Sequence, residues 1–174
     1  MIIGITGPAR SGKDTVSKII TDIYTSYKIK SFAAPIRLII ANLIGITDSI
    51  IFDSIKDIPH ILLNNKTPRY AMQTLGTEWG RYMISDTLWI DTCLNTNDTN
   101  IIISDVRFEN EAKAIKEKNG IIIKVTRPNI KIQESLHISE KGISDDYIAY
   151  NIDNSGDIND LKQKVITIME CFCK

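Results

Sequence analysis

The stretch GITGPARSGKDT, residues 4–15, contains the pattern that best indicates the fold of this chain. It holds the pattern G-x-x-x-x-G-K from Gly7 to Lys13, which follows the apolar run MIIGIT (1–6) and precedes a sequence with helical periodicity. Glycines in such a loop let backbone N–H groups surround a phosphate, and the start of the helix adds positive potential. Lys13 adds a full positive charge for the same anion. The stretch therefore predicts a strand, a phosphate-binding loop and a helix.

The remaining chain alternates short apolar runs with helical patterns. Apolar runs bounded by turn residues follow at 28–34, 100–105, 120–126 and, more weakly, 146–152. Helical patterns begin after Lys13, at Pro35, after Thr67, at Phe108 and at Asp157. Continuous apolar runs are typical of parallel strands that helices cover on both faces. We therefore predict an α/β, three-layer fold with a five-stranded parallel sheet and helices on both faces.

Length and composition limit the class of protein. The 174 residues suit a single domain, and 43% apolar with 24% charged residues is ordinary for a globular protein. A formal net charge of zero gives no sign of stable nucleic-acid binding. No apolar run approaches the roughly 18 residues that span a bilayer, and no signal peptide is evident. Three cysteines are too few for a disulfide framework, so we expect a reduced compartment, the cytoplasm.

Two positions are candidates for a magnesium site. In the usual phosphate-loop pattern a Ser or Thr that binds Mg²⁺ follows the lysine, but here Asp14 follows and Thr15 comes next. A carboxylate there can hold Mg²⁺ through water or accept a hydrogen bond from a substrate, and the sequence leaves both open. Asp105 ends the predicted third strand, where a carboxylate can hold Mg²⁺ or orient a phosphate acceptor. The alternative for Asp105 is a strand-end cap among surface charges.

The segment KTPRYAMQTLGTEWGRYM (66–83) is the candidate for binding the phosphate acceptor. Four residues at helical spacing would share one face of a single helix: Arg69, Gln73, Gly76 and Gly80. We expect the bare glycines on that face to leave room for a ligand. The alternative is a helix that breaks at Gly76 and restarts with Thr77 as its cap. Trp79 could stack on a base or pack in the core, and both interpretations stay open.

The stretch 127–146 is polar and irregular, and so long a loop in a compact domain is commonly functional. We predict that it is a lid whose closure brings Arg127 to the transferred phosphoryl group, because arginines there stabilise the charge of the transition state. His137 lies in the same stretch. A lone loop histidine is more often structural than catalytic.

Seven motifs, in this order, resemble the deoxynucleoside monophosphate kinases of bacteriophages and large DNA viruses: GPARSGKDT, FAAPIR, TPRYAMQTLGTEWGR, SDVRFENE, VTRP, HISEKG and NSGDINDL. The resemblance covers nearly the whole chain. It implies a P-loop NTPase fold in one kinase domain, 1–174, with an acceptor-binding region at about 35–90 and a lid at about 127–146. The implied activity is the ATP-dependent phosphorylation of deoxynucleoside monophosphates with Mg²⁺. Small-molecule nucleotides are the implied partners, and a homodimer is a further expectation.

The resemblance also implies roles for single residues. The ATP site would contain Arg10, Ser11, Gly12, Lys13, Asp14 and Thr15. The acceptor site would contain Arg37, Arg69, Gln73, Trp79 and Arg107. Catalysis would depend on Lys13, Asp105 and Arg127, and Mg²⁺ would bind Asp105 with Asp14 or Thr15. Asn154 would lie near adenine, although the family's Asn-Asp-Gly loop here has Asn154-Ser155-Gly156.

Three other interpretations stay open. A dephospho-CoA kinase or a phosphomevalonate kinase would share the fold, and a non-catalytic nucleotide-binding module would share the loop. The joint presence of a loop lysine, a strand-end carboxylate and acceptor arginines disfavours the last, because binding alone needs no acceptor site. A GTPase is not favoured, since Asn65-Lys66-Thr67-Pro68 lacks the aspartate of the guanine-binding motif N-K-x-D.

Overall fold

The structure is a computed structural model that describes residues 1–128 and 142–172. Its sheet has five parallel strands in the order β2-β3-β1-β4-β5. The strands are β1 Ile2–Thr6, β2 Lys28–Lys30, β3 Ile101–Ile103, β4 Ile121–Thr126 and β5 Tyr150–Asp153. The α-helices are α1 Lys13–Ile23, α2 Ala34–Leu43, α3 Ser49–Ile55, α4 Pro68–Thr74, α5 Leu88–Leu94, α6 Glu109–Glu117 and α7 Ile158–Phe172. Because the strands are parallel, the segments that follow them emerge at one edge of the sheet.

The central strand β1 separates two layers of helices. Ile3 and Ile5 are fully buried in a core that α1 and α7 complete. Gly4 faces the other way, since successive strand residues alternate between the faces of a sheet. A Cβ on Gly4 would lie 2.8 Å from Ile115 Cδ1 of α6. The predicted five-stranded parallel sheet with helices on both faces is confirmed.

The chain divides into two compact units. The first contains the sheet and consists of Met1–Ser31 and Thr96–Lys174. The second, Phe32–Asn95, is helical, and in it the π-helix Leu75–Ile84 continues α4 without interruption. Its core surrounds Phe52, which is 1% exposed. Nowhere in the described part of the chain is a helix both long and apolar enough to cross a membrane.

Several predicted helix ends are confirmed. Thr67 caps α4 by accepting the backbone N–H of Tyr70 on its hydroxyl oxygen at 3.1 Å. The Asp157 carboxylate accepts the backbone N–H groups of Asn159 and Asp160 at 2.8 and 2.9 Å. Such caps satisfy N–H groups that have no partner inside the helix.

Other boundaries differ from the prediction. The second and fifth strands are shorter than predicted, because α2 begins at Ala34 and a 3-10 turn occupies Asp145–Tyr147. The left-handed residue after α6 is not a glycine. That conformation belongs to Asn119, whose φ is +56°, and asparagine tolerates it better than most residues. Gly120 is required by space instead, since a Cβ on it would lie 2.8 Å from the carbonyl oxygen of Ile2.

Candidate active site

The phosphate loop (Gly7–Lys13) leads from β1 to α1 and depends on two glycines. Gly7 has a φ of +142° and Gly12 a φ of +105°, which side chains of L-residues rarely allow. Space also excludes side chains, because a Cβ on Gly7 would collide with the carbonyl oxygen of Val125, and one on Gly12 with the side-chain amide of Asn154. The predicted strand, loop and helix are therefore confirmed, with both glycines fixed by geometry.

The side chain of Lys13 lies along this loop. Its Nζ donates to the carbonyl oxygen of Gly7 at 2.8 Å and to that of Pro8 at 2.6 Å. One turn later the Ser17 hydroxyl donates to the carbonyl oxygen of Lys13 at 3.0 Å. The N-terminus of α1 adds backbone N–H groups and positive potential. A full cation and backbone donors thus meet where a bound phosphate would need them.

Asn154, which follows β5, contacts the phosphate loop. Its side-chain Nδ2 donates to the carbonyl oxygen of Ser11 at 2.9 Å, and the residue is 9% exposed. Its backbone N–H donates to the carbonyl oxygen of Thr126 at the end of β4, at 2.7 Å. Ser11 is fully buried, and its hydroxyl has no hydrogen-bond partner among the described residues. The contact with adenine that the resemblance implies for Asn154 stays a prediction.

Asp105 and Arg107 follow β3 at the same edge of the sheet. The hydroxyl of Ser31, which follows β2, donates to Asp105 Oδ2 at 2.7 Å. Glu111 of α6 is 2% exposed, and its Oε2 accepts the backbone N–H groups of Arg107 at 2.7 Å and Phe108 at 3.0 Å. These contacts orient the Asp105 carboxylate and fix the backbone that carries the Arg107 guanidinium.

Oxygen ligands for Mg²⁺ are present at this edge. Asp14 and Thr15 are exposed in the first turn of α1, and Arg10 is exposed in the loop. Across residues 1–128 and 142–172, no three His, Cys, Asp or Glu side chains cluster closely enough to hold a metal by themselves. Mg²⁺ usually keeps several waters and binds through one or two carboxylates and substrate phosphates. Asp105, Asp14 and Thr15 offer oxygen atoms of the kind that Mg²⁺ prefers, and the binding of Mg²⁺ by Asp105 with Asp14 or Thr15 stays a prediction.

The predicted lid is described only at its ends. Arg127 is exposed and follows β4 directly. Residues 129–141, with His137, lie outside the described residues. After them, the backbone N–H of Ser144 donates to Glu109 Oε1 at 2.6 Å, which ties this end to α6. The lid itself stays a prediction.

In the second unit, the two arginines predicted to bind the acceptor phosphate are each paired with a carboxylate. Arg69 on α4 makes a two-point contact with Asp57, Nε with Oδ1 and Nη2 with Oδ2, the second at 3.0 Å. Arg37 on α2 contacts Asp53 at 3.0 Å. Burial alone would raise the pKa of Asp53, but hydrogen bonds from Lys56 and Arg37 outweigh it and lower the pKa. Both guanidinium groups are therefore held in fixed directions.

The π-helix packs its glycines against Trp89 of α5. Trp89 is 4% exposed, and its indole N–H donates to the carbonyl oxygen of Gly76 at 2.8 Å. A Cβ on Gly80 would lie 2.5 Å from that indole nitrogen, and one on Gly76 would lie 3.0 Å from Ile36 Cδ1. The prediction that these glycines leave room for a ligand is wrong, because Trp89 and Ile36 occupy that side. The alternative of a break at Gly76 is also wrong, since the segment stays helical.

Three large side chains of this segment are exposed, with exposures of 42% for Trp79, 68% for Tyr82 and 74% for Met83. A π-helix bonds residue i to i+5, so a face predicted from 3.6 residues per turn rotates out of register. Trp79 lines an open, mainly apolar groove of about 420 Å³ together with Glu78 and Leu75. Core packing of Trp79 is therefore wrong. Its ring is accessible, as a contact with a nucleotide requires.

Sequence reasoning missed three residues that shape these sites: Ser31, Glu111 and Trp89. Glu111 had a signal, because it lies three residues after Phe108 at the start of α6, where Glu commonly accepts N–H groups of the cap. The contact of Ser31 depends on strand order, which places β2 beside β3. Trp89 depends on tertiary packing, so no local pattern reveals either residue.

Known sequences resemble the chain over most of its length. Residues 40–165 match the family described as deoxynucleotide monophosphate kinase. A protein of Acanthamoeba polyphaga mimivirus that bears the same family name is 31% identical over 157 residues, 80% of each chain. The deoxynucleoside-5'-monophosphate kinase of Escherichia phage T5 is 25% identical, and the match covers 95% of this chain and 94% of the phage protein.

Solved structures share the fold. The shikimate kinase of Aquifex aeolicus matches with a TM-score of 0.52 at 11% identity, over 99% of this chain and 98% of that one. TT1252 from Thermus thermophilus matches with a TM-score of 0.53 at 13% identity, over 98% and 96% of the two chains. These likenesses show a shared fold alone. The sequence matches add the family: the chain is a kinase that belongs to the deoxynucleotide monophosphate kinase family.

Proposed function

We propose that the chain transfers the γ-phosphoryl group of ATP to a deoxynucleoside monophosphate, which yields ADP and the deoxynucleoside diphosphate. An oxygen of the acceptor phosphate forms a bond to the γ-phosphorus, and the bond from that phosphorus to the β–γ bridging oxygen breaks. The bridging oxygen leaves with ADP. We place the reaction in the cytoplasm of a host cell, since both named relatives are viral.

The observation that carries the proposal is the phosphate loop with Lys13 at the start of α1. Two glycines that tolerate no side chain bring the backbone close to any ligand of the loop. The Lys13 ammonium lies at the loop carbonyls of Gly7 and Pro8, within reach of an anion placed there. Transfer of a phosphoryl group depends mainly on positioning and on neutralising charge, and these groups do both.

Asp105 and Arg107, which follow β3, also contribute to the reaction in this proposal. Ser31 holds the Asp105 carboxylate, so this group can orient the acceptor phosphate or a magnesium-bound water. When bound, Mg²⁺ would neutralise charge on the donor phosphates, and Asp105 with Asp14 or Thr15 would hold it. Arg107 has its backbone fixed by Glu111, so its guanidinium can pair with the acceptor phosphate in a defined direction. Arg127 would reach the transferred group from the lid.

Residues of the second unit are also proposed to bind the acceptor. Arg69 and Arg37 are held by carboxylates, and a phosphate dianion can form with a guanidinium the kind of two-point contact that Asp57 forms with Arg69. Gln73 lies one helical turn after Arg69 on α4 and can donate to the same nucleotide. Trp79 exposes its ring in an apolar groove, which suits stacking of a base.

The test is a coupled assay of ADP release from ATP and Mg²⁺, with the purified chain and a panel of acceptors. The panel contains the four common deoxynucleoside monophosphates, their ribose counterparts, dephospho-CoA and phosphomevalonate. We expect turnover with at least one deoxynucleoside monophosphate and a lower kcat/KM for its ribose counterpart. The matched control is Lys13→Ala, which should lower every rate by about 100- to 1,000-fold.

Other outcomes have defined meanings. Turnover with dephospho-CoA or phosphomevalonate alone would replace the proposed acceptor class while leaving the kinase reaction in place. Binding of ATP without turnover on any acceptor would support the non-catalytic module. Mass spectrometry of the product separates transfer from ATP hydrolysis, because only transfer adds a phosphoryl group, about 80 mass units, to the acceptor.

A further inference from the structure

Four carbonyl oxygens of the phosphate loop, those of Gly7, Pro8, Ser11 and Gly12, accept hydrogen bonds. The oxygens of Gly7 and Pro8 accept from Lys13 Nζ, and the oxygen of Gly12 accepts the first helical N–H, from Val16, at 2.9 Å. The oxygen of Ser11 is different, because its partner comes from the opposite end of the chain. That partner is the side chain of Asn154.

The contact with Asn154 fixes the direction of one peptide group. In a trans peptide the C=O of one residue and the N–H of the next point in opposite directions. The Ser11 carbonyl points at Asn154, so the N–H of Gly12 points away from it. The position of a Cβ on Gly12 also faces Asn154, since such an atom would collide with the amide. The amide of Asn154 therefore lies on the side of the Ser11–Gly12 peptide toward which the Ser11 carbonyl points.

Asn154 itself is held in place. Its backbone N–H donates to the carbonyl oxygen of Thr126 at 2.7 Å, and its side chain is buried. A buried carbonyl that lost its donor would rotate toward water or stay unsatisfied, and either change alters the direction of the next N–H. Because Gly12 lacks a side chain and has a φ of +105°, its own conformation does not prevent such a rotation.

We propose that Asn154 is a positioning residue for the phosphate donor. Its amide holds the Ser11 carbonyl away from the phosphates and thereby aims the Gly12 N–H at them. The inference rests on the proposed kinase function, and it differs from the contact with adenine that the family resemblance implies. In this role Asn154 acts through the loop, so its effect on binding does not depend on the base of the phosphate donor.

The test compares wild type with Asn154→Asp and Asn154→Ala, since neither replacement can donate to the Ser11 carbonyl at neutral pH. Calorimetry measures the Kd of ATP and of inorganic tripolyphosphate, and steady-state kinetics measures the KM of the acceptor. We expect both Kd values to rise by a similar factor, about tenfold, as for one lost hydrogen bond. The acceptor KM should stay within about twofold. Asn151→Ala, an exposed position on β5, is the control.

Each alternative result has its own consequence. A rise in the Kd of ATP with an unchanged Kd of tripolyphosphate would overturn the inference and assign Asn154 to adenine. Equal losses for donor and acceptor, or no loss, would also overturn it. Wild-type protein that binds neither ATP nor tripolyphosphate would instead contradict the proposed kinase function.

A measurement on the wild type decides the matter if both variants fail to fold. NMR of the side-chain amide of Asn154 should show slow hydrogen exchange and a shift when tripolyphosphate is added, because the loop peptide couples the two. An amide that exchanges like an exposed asparagine, or that ignores tripolyphosphate, would overturn the inference.

Discussion

The indole N–H of Trp89 donates to the carbonyl oxygen of Gly76 at 2.8 Å, and the same ring lies where Gly80 would carry a side chain. The two glycines therefore let α5 approach the π-helix closely. We expect Gly80→Ala to lower the free energy of unfolding by about 1–3 kcal/mol, because a methyl group would overpack a buried ring. Thermal or denaturant unfolding measures the change.

Gly76→Ala is the matched control, since it lies on the same segment. Its Cβ would lie 3.0 Å from the flexible end of the Ile36 side chain, which can shift. This variant should lose less stability than Gly80→Ala. An equal or larger loss in Gly76→Ala would contradict the account of Trp89 as the residue that requires glycine.

The sequence predicts the sheet well because each strand is a nearly continuous apolar run covered on both faces. Such runs identify a strand, as in β1, where Ile3 and Ile5 are fully buried. The π-helix was not predictable in the same way. Its hydrogen bonds change the residues per turn, and the contact with Trp89 that stabilises it comes from tertiary packing.

Lys13 should matter for catalysis and little for folding. Its Nζ donates to the carbonyl oxygens of Gly7 and Pro8, and the residue is half-buried at the start of α1. Lys13→Ala should lower kcat by about 100- to 1,000-fold, or about 3–4 kcal/mol of barrier, as for one lost charge contact in a closed site.

Lys18→Ala is a suitable control for Lys13→Ala. Lys18 is exposed on the same helix and pairs with Asp22 at 3.1 Å. Lys18→Ala should leave kcat unchanged, because Lys18 lies outside the phosphate loop and its partner is Asp22. Near-normal turnover in Lys13→Ala, or equal loss in both variants, would refute the assignment of the phosphate loop.

Glu111 should affect both stability and the acceptor. Glu111→Ala leaves the backbone N–H groups of Arg107 and Phe108 without their acceptor, at a cost of about 1–3 kcal/mol in the free energy of unfolding. Glu111→Gln keeps an oxygen in place and should lose less. If Arg107 binds the acceptor, the acceptor KM should rise in Glu111→Ala while the KM of ATP changes little. Glu117 is exposed on the same helix, and Glu117→Ala should change neither the free energy of unfolding nor the acceptor KM.

Only part of the candidate site was predictable from the residues. The phosphate loop is local in sequence, so Gly7, Gly12 and Lys13 carry their own signal. The supports of the site join segments far apart in the chain, as Ser31 joins Asp105 and Asn154 joins Ser11. Such contacts depend on strand order, which one sequence does not reveal.

Asp98 should make stability depend on acid pH. Hydrogen bonds from Lys28, then Lys30 and the hydroxyl of Thr96, hold the pKa of Asp98 well below its usual value. In the unfolded chain Asp98 takes up a proton at about pH 3.9, whereas in the folded chain Asp98 stays ionised at that pH. Stabilisation by this carboxylate is therefore complete above that pH and is lost as the pH falls below it.

The measurement for Asp98 is thermal unfolding of wild type and Asp98→Asn between neutral pH and about pH 3. We expect wild type to have the higher Tm at neutral pH and the gap to shrink in acid and in high salt. Asp22→Asn, which breaks an exposed pair with Lys18, should give a smaller gap. A gap that stays constant across the pH range would show that Asp98 does not act through its charge.

Arg69 and Asp57 offer the sharpest test of the acceptor site, because one pair can be broken from either side. Their side chains are 43% and 62% exposed, so the pair itself should contribute only about 0–1 kcal/mol to stability. Asp57→Asn should leave the Tm and the acceptor KM nearly unchanged. Arg69→Ala breaks the same pair but also removes the proposed ligand of the acceptor phosphate. It should raise the acceptor KM by about 10- to 150-fold, as for a lost charge-assisted contact of about 1.5–3 kcal/mol, and leave the KM of ATP near its wild-type value.

If both substitutions change the acceptor KM equally, Arg69 acts through its pair with Asp57 and does not bind the phosphate. If neither changes it, the acceptor phosphate binds elsewhere, and Arg37→Ala becomes the decisive variant, since a carboxylate also holds Arg37 in the second unit.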